Sequence, residues 1–146
     1  MNVLDRLRRG VATRGAGETR ALAEELARQL PADAALALHG DMGVGKTTFV
    51  QGLARGLGVR GPVTSPTFAI YSVYRGDSRM LLHLDAYRLD DERAIESLLV
   101  DDFLVSPWCL AVEWPEKVAP WLPPGTLHLA LSIDPGAGHR HRVRLR

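Results

Sequence analysis

The stretch Gly40-Asp41-Met42-Gly43-Val44-Gly45-Lys46-Thr47 matches the pattern G-x-x-x-x-G-K-[ST] at every fixed position. The apolar run 34–38 precedes it, and a helical pattern begins near Lys46. In this strand, loop and helix context, the N–H groups of the glycine loop and of the helix N-terminus turn toward one anion. The stretch therefore predicts a phosphate-binding loop. The alternative is a glycine-rich turn with a solvated lysine.

Two side chains of the loop have separate expected roles. The Lys46 ammonium group would reach the β and γ phosphates of a nucleotide, and the Thr47 hydroxyl would ligate Mg²⁺. Only Lys46 and Lys117 are lysines among the 18 Lys and Arg residues, so this chain keeps a compact point charge where a phosphate is expected. The residues expected to bind the nucleotide are Asp41, Met42, Gly43, Val44, Gly45, Lys46, Thr47 and Thr48.

The composition sets limits on the class of protein. The 146 residues are expected to form one domain, residues 1–146, with its own hydrophobic core. A formal net charge of +1 does not by itself demand nucleic acid or a membrane surface as a partner. The single cysteine, Cys109, cannot form an internal disulfide, and no apolar run approaches the about 20 residues of a membrane span. We therefore expect a cytoplasmic protein without a membrane segment.

The first half of the chain shows helix and strand patterns in alternation. Apolar residues at helical spacing predict a helix over residues 18–30, which Pro31 ends. The next strand ends at Leu38 and leads into the loop. The helix after the loop is expected to end at Gly58, which is a good C-terminal cap.

The second half of the chain contains two predicted hairpins. Residues 68–74 and 80–84 are β-type runs joined by a short turn, and residues 126–133 and 140–145 alternate around the turn Asp134-Pro135-Gly136. The chain is therefore expected to be α/β, with a P-loop NTPase-like mixed sheet that is parallel at its centre, carries antiparallel hairpins and is flanked by helices.

Three shorter elements are predicted between the hairpins. Asp90 or Asp91 is expected to cap a helix that contains Ile95, Leu98 and Leu99. Residues 109–112 form a short apolar run that predicts a buried strand ending at Glu113. The prolines of residues 115–124 then predict a loop.

Missing residue types narrow the choice of nucleotide. The only asparagine is Asn2, so the Asn-Lys-x-Asp element by which GTPases read guanine is absent from the sequence. The two glutamines, Gln29 and Gln51, lie on predicted helices away from the loop, which disfavours a water-orienting glutamine of the Ras kind. A carboxylate must then serve if water is to be activated.

Two acidic residues follow apolar runs at predicted strand ends. Asp85 ends residues 80–84, and Glu113 ends residues 109–112. The phosphate loop binds near the C-terminal ends of strands, so both carboxylates can face the γ phosphate. One would hold the metal and the other could orient the attacking water, which makes Lys46, Asp85 and Glu113 the expected catalytic residues. Two ordinary strand-end acids are the alternative.

Three further features have both a functional and a structural interpretation. The segment Thr64-Ser65-Pro66-Thr67 resembles a switch that senses the γ phosphate, although a plain turn has almost the same pattern. Trp114 could cover the site or form the rim of the core. His83, on an apolar strand, is interpreted as a core histidine whose hydrogen bonds are satisfied.

Four ordered motifs together resemble the bacterial TsaE (YjeE) family of small ATPases, which are required to make threonylcarbamoyladenosine in tRNA. The resemblance covers Thr19 to about Arg142. The motifs are Gly40-Asp41-Met42-Gly43-Val44-Gly45-Lys46-Thr47-Thr48-Phe49, Thr64-Ser65-Pro66-Thr67-Phe68, His83-Leu84-Asp85-Ala86-Tyr87-Arg88-Leu89 and Val112-Glu113-Trp114-Pro115-Glu116.

The resemblance implies ATP as the nucleotide, Mg²⁺ held by Thr47 and Glu113, and Asp85 as a residue needed for hydrolysis. It also implies two partner proteins, TsaD and TsaB, on which a TsaE protein docks and whose assembly its ATP turnover resets. The chain departs from the family pattern at two places. No glycine stands before Asp101-Asp102, and Gly138-His139 replaces a Gly-Arg pair, which leaves Arg140 or Arg142 as the substitute for a nucleotide contact.

Two other functions remain compatible with the motifs. A small phosphotransferase would need an acceptor pocket and an arginine-bearing lid, for which this chain has little room. A nucleotide-gated binding module would use ATP only to order residues 64–67. The alternating Arg140, Arg142, Arg144 and Arg146 are interpreted as a charged sheet edge or, alternatively, as an indirect or weak contact with tRNA or with an acidic partner.

Overall fold

A mixed sheet with helices on both faces forms the body of the protein in the computed structural model, which describes residues 1–66, 70–134, 136, 138 and 140–146. The helices are α1 (Val3–Arg9), α2 (Ala16–Gln29), α3 (Lys46–Gly56) and α4 (Arg93–Ser97), with 3₁₀ segments at Val100–Phe103 and Pro115–Trp121. The strands are β1 (Val11–Thr13), β2 (Ala34–His39), β3 (Tyr71–Arg75), β4 (Met80–Asp85), β5 (Trp108–Glu113), β6 (Leu127–Ile133) and β7 (His141–Leu145).

The sheet has seven strands in the order β1-β7-β6-β2-β5-β4-β3. The central strand β2 is parallel to β5 and to β6, and β4 is parallel to β5. The outer pairs are antiparallel. This confirms the predicted parallel centre with antiparallel hairpins. Because parallel strands end at the same edge, the loop after β2 and the last residues of β4 and β5 come together there.

The sheet separates two apolar layers. Leu36 and Leu38 of β2 face the layer that holds α1, α2 and α3, whereas Ala35 faces the layer that holds α4 and both 3₁₀ segments. The alternation is that of a strand buried on both faces, which explains why β2 reads as a continuous apolar run.

Helices α2 and α3 pack closely because α3 carries glycine where the two backbones meet. A Cβ atom at Gly52 would lie 2.7 Å from Arg20 Cα and 2.8 Å from Ala23 Cβ. A contact under 3 Å must be relieved by moving one of the helices, so Gly52 sets the distance at which α3 lies. The position of α3 matters because its N-terminus follows the phosphate loop directly.

The predicted cap of α3 is confirmed. Gly58 has φ +81°, its N–H donates to Arg55 O at 3.1 Å, and the Val59 N–H donates to Ala54 O at 2.9 Å. This pair of bonds satisfies carbonyls that the end of a helix leaves free, and it needs a residue in the left-handed region.

Several predicted boundaries are wrong in detail. Helix α4 ends at Ser97, so Leu98 and Leu99 lie beyond it, and Leu99 is 61% exposed with φ +54°. Asp91 does accept a hydrogen bond from the Arg93 N–H, at 2.9 Å, as a cap of this helix would. The predicted loop 115–124 contains the 3₁₀ segment Pro115–Trp121. Helix α1 and strand β1 were not predicted, because so short an element shows no clear periodicity.

The two hairpins agree with the prediction within a few residues. The first predicted strand began at Phe68, which lies with Thr67 and Ala69 outside the described residues, and β3 is observed from Tyr71. In the second hairpin, the Asp134 N–H donates to Arg140 O at 2.7 Å, which closes the connection between β6 and β7.

The interpretation of the last strand as a sheet edge is wrong at residues 141–143, where β1 pairs with it, whereas Arg144 lies beyond the paired residues. Strand β1 pairs with β7 on the side away from β6, with Ala12 opposite Arg142. The arginines therefore do not guard an open edge where β1 covers it. Arg142 and Arg144 are exposed on the sheet face opposite Val143, which is buried against the α2 and α3 layer.

Candidate functional site

A cleft of about 440 Å³ lies at the edge of the sheet where β2, β4 and β5 end. It brings together most of the residues predicted to form the site. Its lining residues are Met42, Gly43, Gly45, Lys46, Thr47, Thr48, Ser65, Asp85, Tyr87, Glu113, Trp114 and His141. Two residues predicted to contact the nucleotide are not among them. Asp41 is exposed, and the Val44 side chain is buried in the core, 8% exposed.

The backbone between β2 and α3 has the form of an anion cradle. Gly43 and Gly45 have backbone φ angles of +79° and +100°, which residues with a Cβ atom rarely adopt. A Cβ atom at Gly40 would lie 2.5 Å from Leu131 O, so the loop can lie this close to β6 only with glycine. No side chain caps α3, which leaves the N–H groups of its first turn facing the cleft mouth without a side-chain acceptor. These features fit a polyphosphate.

Lys46 is the first residue of α3 and is 5% exposed. Its Nζ donates to Gly40 O at 2.6 Å and lies 4.0 Å from the centroid of a Trp114 ring. Burial lowers the pKa of this ammonium group, while the nearby carboxylates of Glu113 and Asp85 act in the opposite direction. The positive charge is therefore held inside the cleft by a carbonyl and an aromatic face.

Thr47 connects the loop to the segment predicted to act as a switch. Its Oγ1 lies 2.6 Å from Ser65 Oγ, within hydrogen-bond distance. The residue just before this segment is also anchored, because Gln51 Nε2 donates to Val63 O at 3.0 Å. Gln51 Oε1 in turn accepts a hydrogen bond from Arg20 Nε at 3.1 Å. Thr67 of this segment lies outside the described residues. Ser65 thus belongs to the cleft, whereas the sequence alone did not separate a switch from a plain turn.

The two predicted carboxylates are neighbours with different surroundings. Asp85 and Glu113 occupy paired positions on β4 and β5. Asp85 is half-buried, and its Oδ1 accepts from the Tyr87 N–H at 3.0 Å. Glu113 is 5% exposed and bonded to His83. One carboxylate is therefore accessible from the cleft, and the other is held in place.

His83 is fully buried on β4, as its apolar strand predicts, but the expectation that its hydrogen bonds are satisfied is wrong. Nε2 lies 2.6 Å from Glu113 Oε2. Nδ1 has no hydrogen-bond partner in the described part of the chain. The sequence could not show this contact, because it depends on the register between β4 and β5.

The oxygen atoms at the cleft suit Mg²⁺. Hydroxyl groups of Thr47 and Ser65 and carboxylates of Asp85 and Glu113 line it. Among the residues that the structure describes, no group of three or more His, Cys, Asp or Glu side chains could hold a metal by themselves. Mg²⁺ is typically bound through one or two carboxylates together with water and substrate phosphates, so this sparse, all-oxygen set fits that ion.

Two lining residues, Tyr87 and His141, were given no site role from the sequence, and for Trp114 the sequence left a cover of the site and a core rim open. Trp114 has φ +56°, and its ring packs at 5.1 Å from that of Tyr87, so both aromatic side chains form one wall. His141 starts β7, and its Nδ1 lies 3.0 Å from Val44 O, with which it forms a hydrogen bond. His141 lines the cleft, whereas Arg140 and Arg142, the substitutes suggested for a nucleotide contact, do not. Only the position of β7 in the sheet reveals this.

No helix within the described ranges has the length and apolar character required to cross a bilayer.

Comparisons with known proteins give consistent results. A family model described as "Threonylcarbamoyl adenosine biosynthesis protein TsaE" matches residues 13–142. The "tRNA threonylcarbamoyladenosine biosynthesis protein TsaE" of Synechocystis sp. is 44% identical over 104 residues, which are 68% of this chain and 65% of that protein. The protein of the same name from Bacillus subtilis is 38% identical over 114 residues, 78% of this chain and 71% of that protein.

A solved structure is also similar. The crystal structure of Bacillus subtilis YdiB has a TM-score of 0.76 and 31% sequence identity, and the match covers 93% of this chain and 82% of that one. The likeness therefore extends over most of the fold.

Proposed function

This chain belongs to the TsaE family, and from that premise we propose that it is a cytoplasmic, Mg²⁺-dependent ATPase that supports N6-threonylcarbamoyladenosine modification of tRNA by driving or resetting a complex of TsaB and TsaD. One observation carries the proposal. The glycine loop, Lys46, Thr47 and the carboxylates of Asp85 and Glu113 line a single cleft.

ATP binding follows from the loop. The uncapped N-terminus of α3 and the glycines offer N–H donors to the phosphates, and the Lys46 ammonium group supplies a positive charge a few ångströms from Gly40. On binding, phosphate oxygens would replace Gly40 O as acceptors for Nζ. The new acceptors are anionic, so each bond joins two opposite charges, whereas the bond given up runs to a neutral carbonyl.

Magnesium would be held by Thr47 and Glu113, with Ser65 beside Thr47. When bound, this ion neutralises negative charge on the β and γ phosphate oxygens. Asp85 is placed to accept a hydrogen bond from a water molecule, because it is half-buried at the same sheet edge and one of its oxygens, Oδ2, has no hydrogen bond to a described residue. Its role is to orient that water toward the γ phosphate.

Dependence on partners follows from what the cleft lacks. Within the described residues no arginine lines the cleft itself, and the exposed Arg88 lines only the adjoining pocket, which shares Asp85 and Tyr87 with it. An arginine that stabilises transition-state charge is worth roughly 10³–10⁵ in rate in other phosphate-loop enzymes. We therefore expect slow hydrolysis by the isolated chain and faster hydrolysis when TsaB and TsaD cover the cleft.

The test is a phosphate-release assay on the isolated chain and on the chain mixed with TsaB and TsaD. A marked increase in turnover with both partners supports the proposal. Full turnover by the isolated chain, unchanged by TsaB and TsaD, contradicts the partner-dependent part of it.

A nucleotide-gated binding module is the second candidate, and the contact between Thr47 Oγ1 and Ser65 Oγ favours it. Under this alternative, ATP orders the segment that contains Ser65, and partner binding responds to ATP binding without hydrolysis. A partner-binding assay that compares ATP with a nonhydrolysable analogue distinguishes the two: the module releases its partners at the same rate with either nucleotide, whereas the ATPase releases them faster with ATP.

A further inference from the structure

His83 and Glu113 form a buried pair behind the proposed metal site. His83 is 0% exposed, Glu113 is 5% exposed, and Nε2 lies 2.6 Å from Oε2. Glu113 lines the cleft, and its second oxygen, Oε1, has no hydrogen bond to a described residue. The carboxylate therefore has one oxygen engaged with His83 and one that remains available.

The chemistry of the pair fixes the direction of its hydrogen bond. A carboxylate must be ionised to hold Mg²⁺, and an ionised carboxylate only accepts hydrogen bonds. Nε2 of His83 must then carry the hydrogen and donate to Oε2. This assigns the other ring nitrogen, Nδ1, as the one without a hydrogen in the neutral side chain.

Nδ1, the other ring nitrogen, forms no hydrogen bond with the described part of the chain. It is buried, and a buried polar atom without a hydrogen bond costs stability. On the sheet face that carries His83, Leu81 of β4 and Ala111, the register partner of His83 on β5, are fully buried, so an apolar side chain would suit the position. The contact with Glu113 is what the histidine provides.

We propose that His83 is a positioning residue, whose Nε2–H holds Oε2 of Glu113 so that Oε1 faces the Mg²⁺ site. Histidine does this well, because its planar ring is fixed by a tightly packed strand and delivers a single donor. Partners of metal ligands that fix their orientation typically affect metal affinity or activity 10- to 100-fold. This inference depends on the proposed Mg²⁺-ATP site, which it refines.

Two amide substitutions separate positioning from packing. In His83→Gln, the amide nitrogen lies the same number of bonds from Cα as Nε2 of histidine and can donate to Oε2. In His83→Asn, the amide nitrogen lies one bond closer, at the level of Nδ1, and falls short of Glu113. Both variants place an amide in the same apolar core, so they share the cost of burying it.

The experiment measures binding of a nonhydrolysable ATP analogue to the full chain, first in EDTA and then as Mg²⁺ is added. We expect the analogue affinity in EDTA to be equal in wild type, His83→Gln and His83→Asn. The Mg²⁺ concentration that gives half of the full change in analogue affinity should rise about tenfold or more in His83→Asn. In His83→Gln it should stay within about threefold of wild type. Melting temperatures of the two variants should be similar.

His83→Leu serves as a second variant without a donor if His83→Asn does not fold, and the same rise is expected for it. Wild-type Mg²⁺ dependence in His83→Asn and His83→Leu overturns the inference, as does an equal loss in His83→Gln. In each of these outcomes, Mg²⁺ still changes the analogue affinity of the wild-type chain. An absence of any Mg²⁺ effect on wild type is a different result, which contradicts the proposed metal site itself.

Discussion

Asp85 and Glu113 are register partners on the neighbouring parallel strands β4 and β5, so two carboxylates stand side by side at the edge of the sheet that carries the phosphate loop. Their surroundings differ. Glu113 is buried against His83, whereas Asp85 is half-buried and bonded to the Tyr87 N–H. A fixed carboxylate suits a metal, and a more accessible one suits a water molecule. We therefore expect Glu113 to bind the metal and Asp85 to orient the water molecule, which leads to the first prediction.

Asp85→Ala should reduce ATP hydrolysis by this chain, measured in the presence of TsaB and TsaD, at least about 100-fold. The reason is that a residue that positions or deprotonates water contributes roughly 10²–10⁴ in rate. ATP affinity should remain close to wild type, since Asp85 does not bind the phosphates. Asp90→Ala is the matched control, because Asp90 is an exposed aspartate five positions further along the chain and does not line the cleft. Normal turnover by Asp85→Ala would show that the catalytic assignment is wrong.

Lys46→Ala should weaken ATP binding itself. The loss of one charge-assisted hydrogen bond to phosphate costs about 1.5–3 kcal/mol, which is roughly 10- to 100-fold in Kd. Lys117→Ala, the change of the other lysine, should have no effect, because Lys117 lies on the 3₁₀ segment Pro115–Trp121 and does not line the cleft. Titration calorimetry of both variants provides the measurement. An ATP affinity of Lys46→Ala equal to that of wild type would contradict the proposed role of Lys46.

Gly52→Ala should destabilise the fold by about 1–3 kcal/mol, although alanine is the better helix former, because the new Cβ meets Arg20 Cα and Ala23 Cβ at under 3 Å. Gly17→Ala in α2 is the control. A Cβ at Gly17 would meet nothing within 4 Å apart from its chain neighbours and its own helix, and Gly17 lies in the first turn of α2, so the change should stabilise by less than about 1 kcal/mol. Urea unfolding of both variants measures the difference. Similar shifts of the two midpoints would mean that close packing of α2 and α3 is not what limits position 52.

Changing Arg142 and Arg144 together to alanine tests the proposed weak contact with tRNA. Both side chains are exposed on one face of β7, and neither forms an ion pair with a described residue. If they contact phosphates, the salt dependence of tRNA association should become shallower by about one unit in slope per arginine. Arg55→Ala with Arg60→Ala is the control. Both of these arginines are exposed on and just after α3, in the layer against which Val143 packs, whereas Arg142 and Arg144 lie on the opposite face of the sheet. The absence of tRNA binding by wild type would rule out the contact.

The site was largely predictable where a local pattern carries the chemistry. The phosphate loop is contiguous, so its residues are recognisable by spacing, and Asp85 and Glu113 each end an apolar run at a strand terminus. The structure places both patterns at one cleft, and the roles of their residues remain proposals. The fold class followed from the same runs, since β2 and β5 are buried on both faces.

The rest depends on contacts between distant parts of the chain. His141 reaches the loop only because β7 returns beside β6, and the bond between His83 and Glu113 needs the register of two strands. Val44 matches the loop pattern but is buried in the core, which no spacing rule reveals. The edge role fails at Arg142 for the same reason, because β1 is too short to be predicted and pairs with residues 141–143 of β7.

Calorimetric titration of the purified, folded chain with ATP in buffer containing Mg²⁺ tests the central claim most directly. The structure leads us to expect saturable binding of one ATP per chain, weakened by Lys46→Ala and unchanged by Lys117→Ala. If no heat of adenine nucleotide binding is detected across the titration, the cleft is not an ATP site and the proposed function is contradicted.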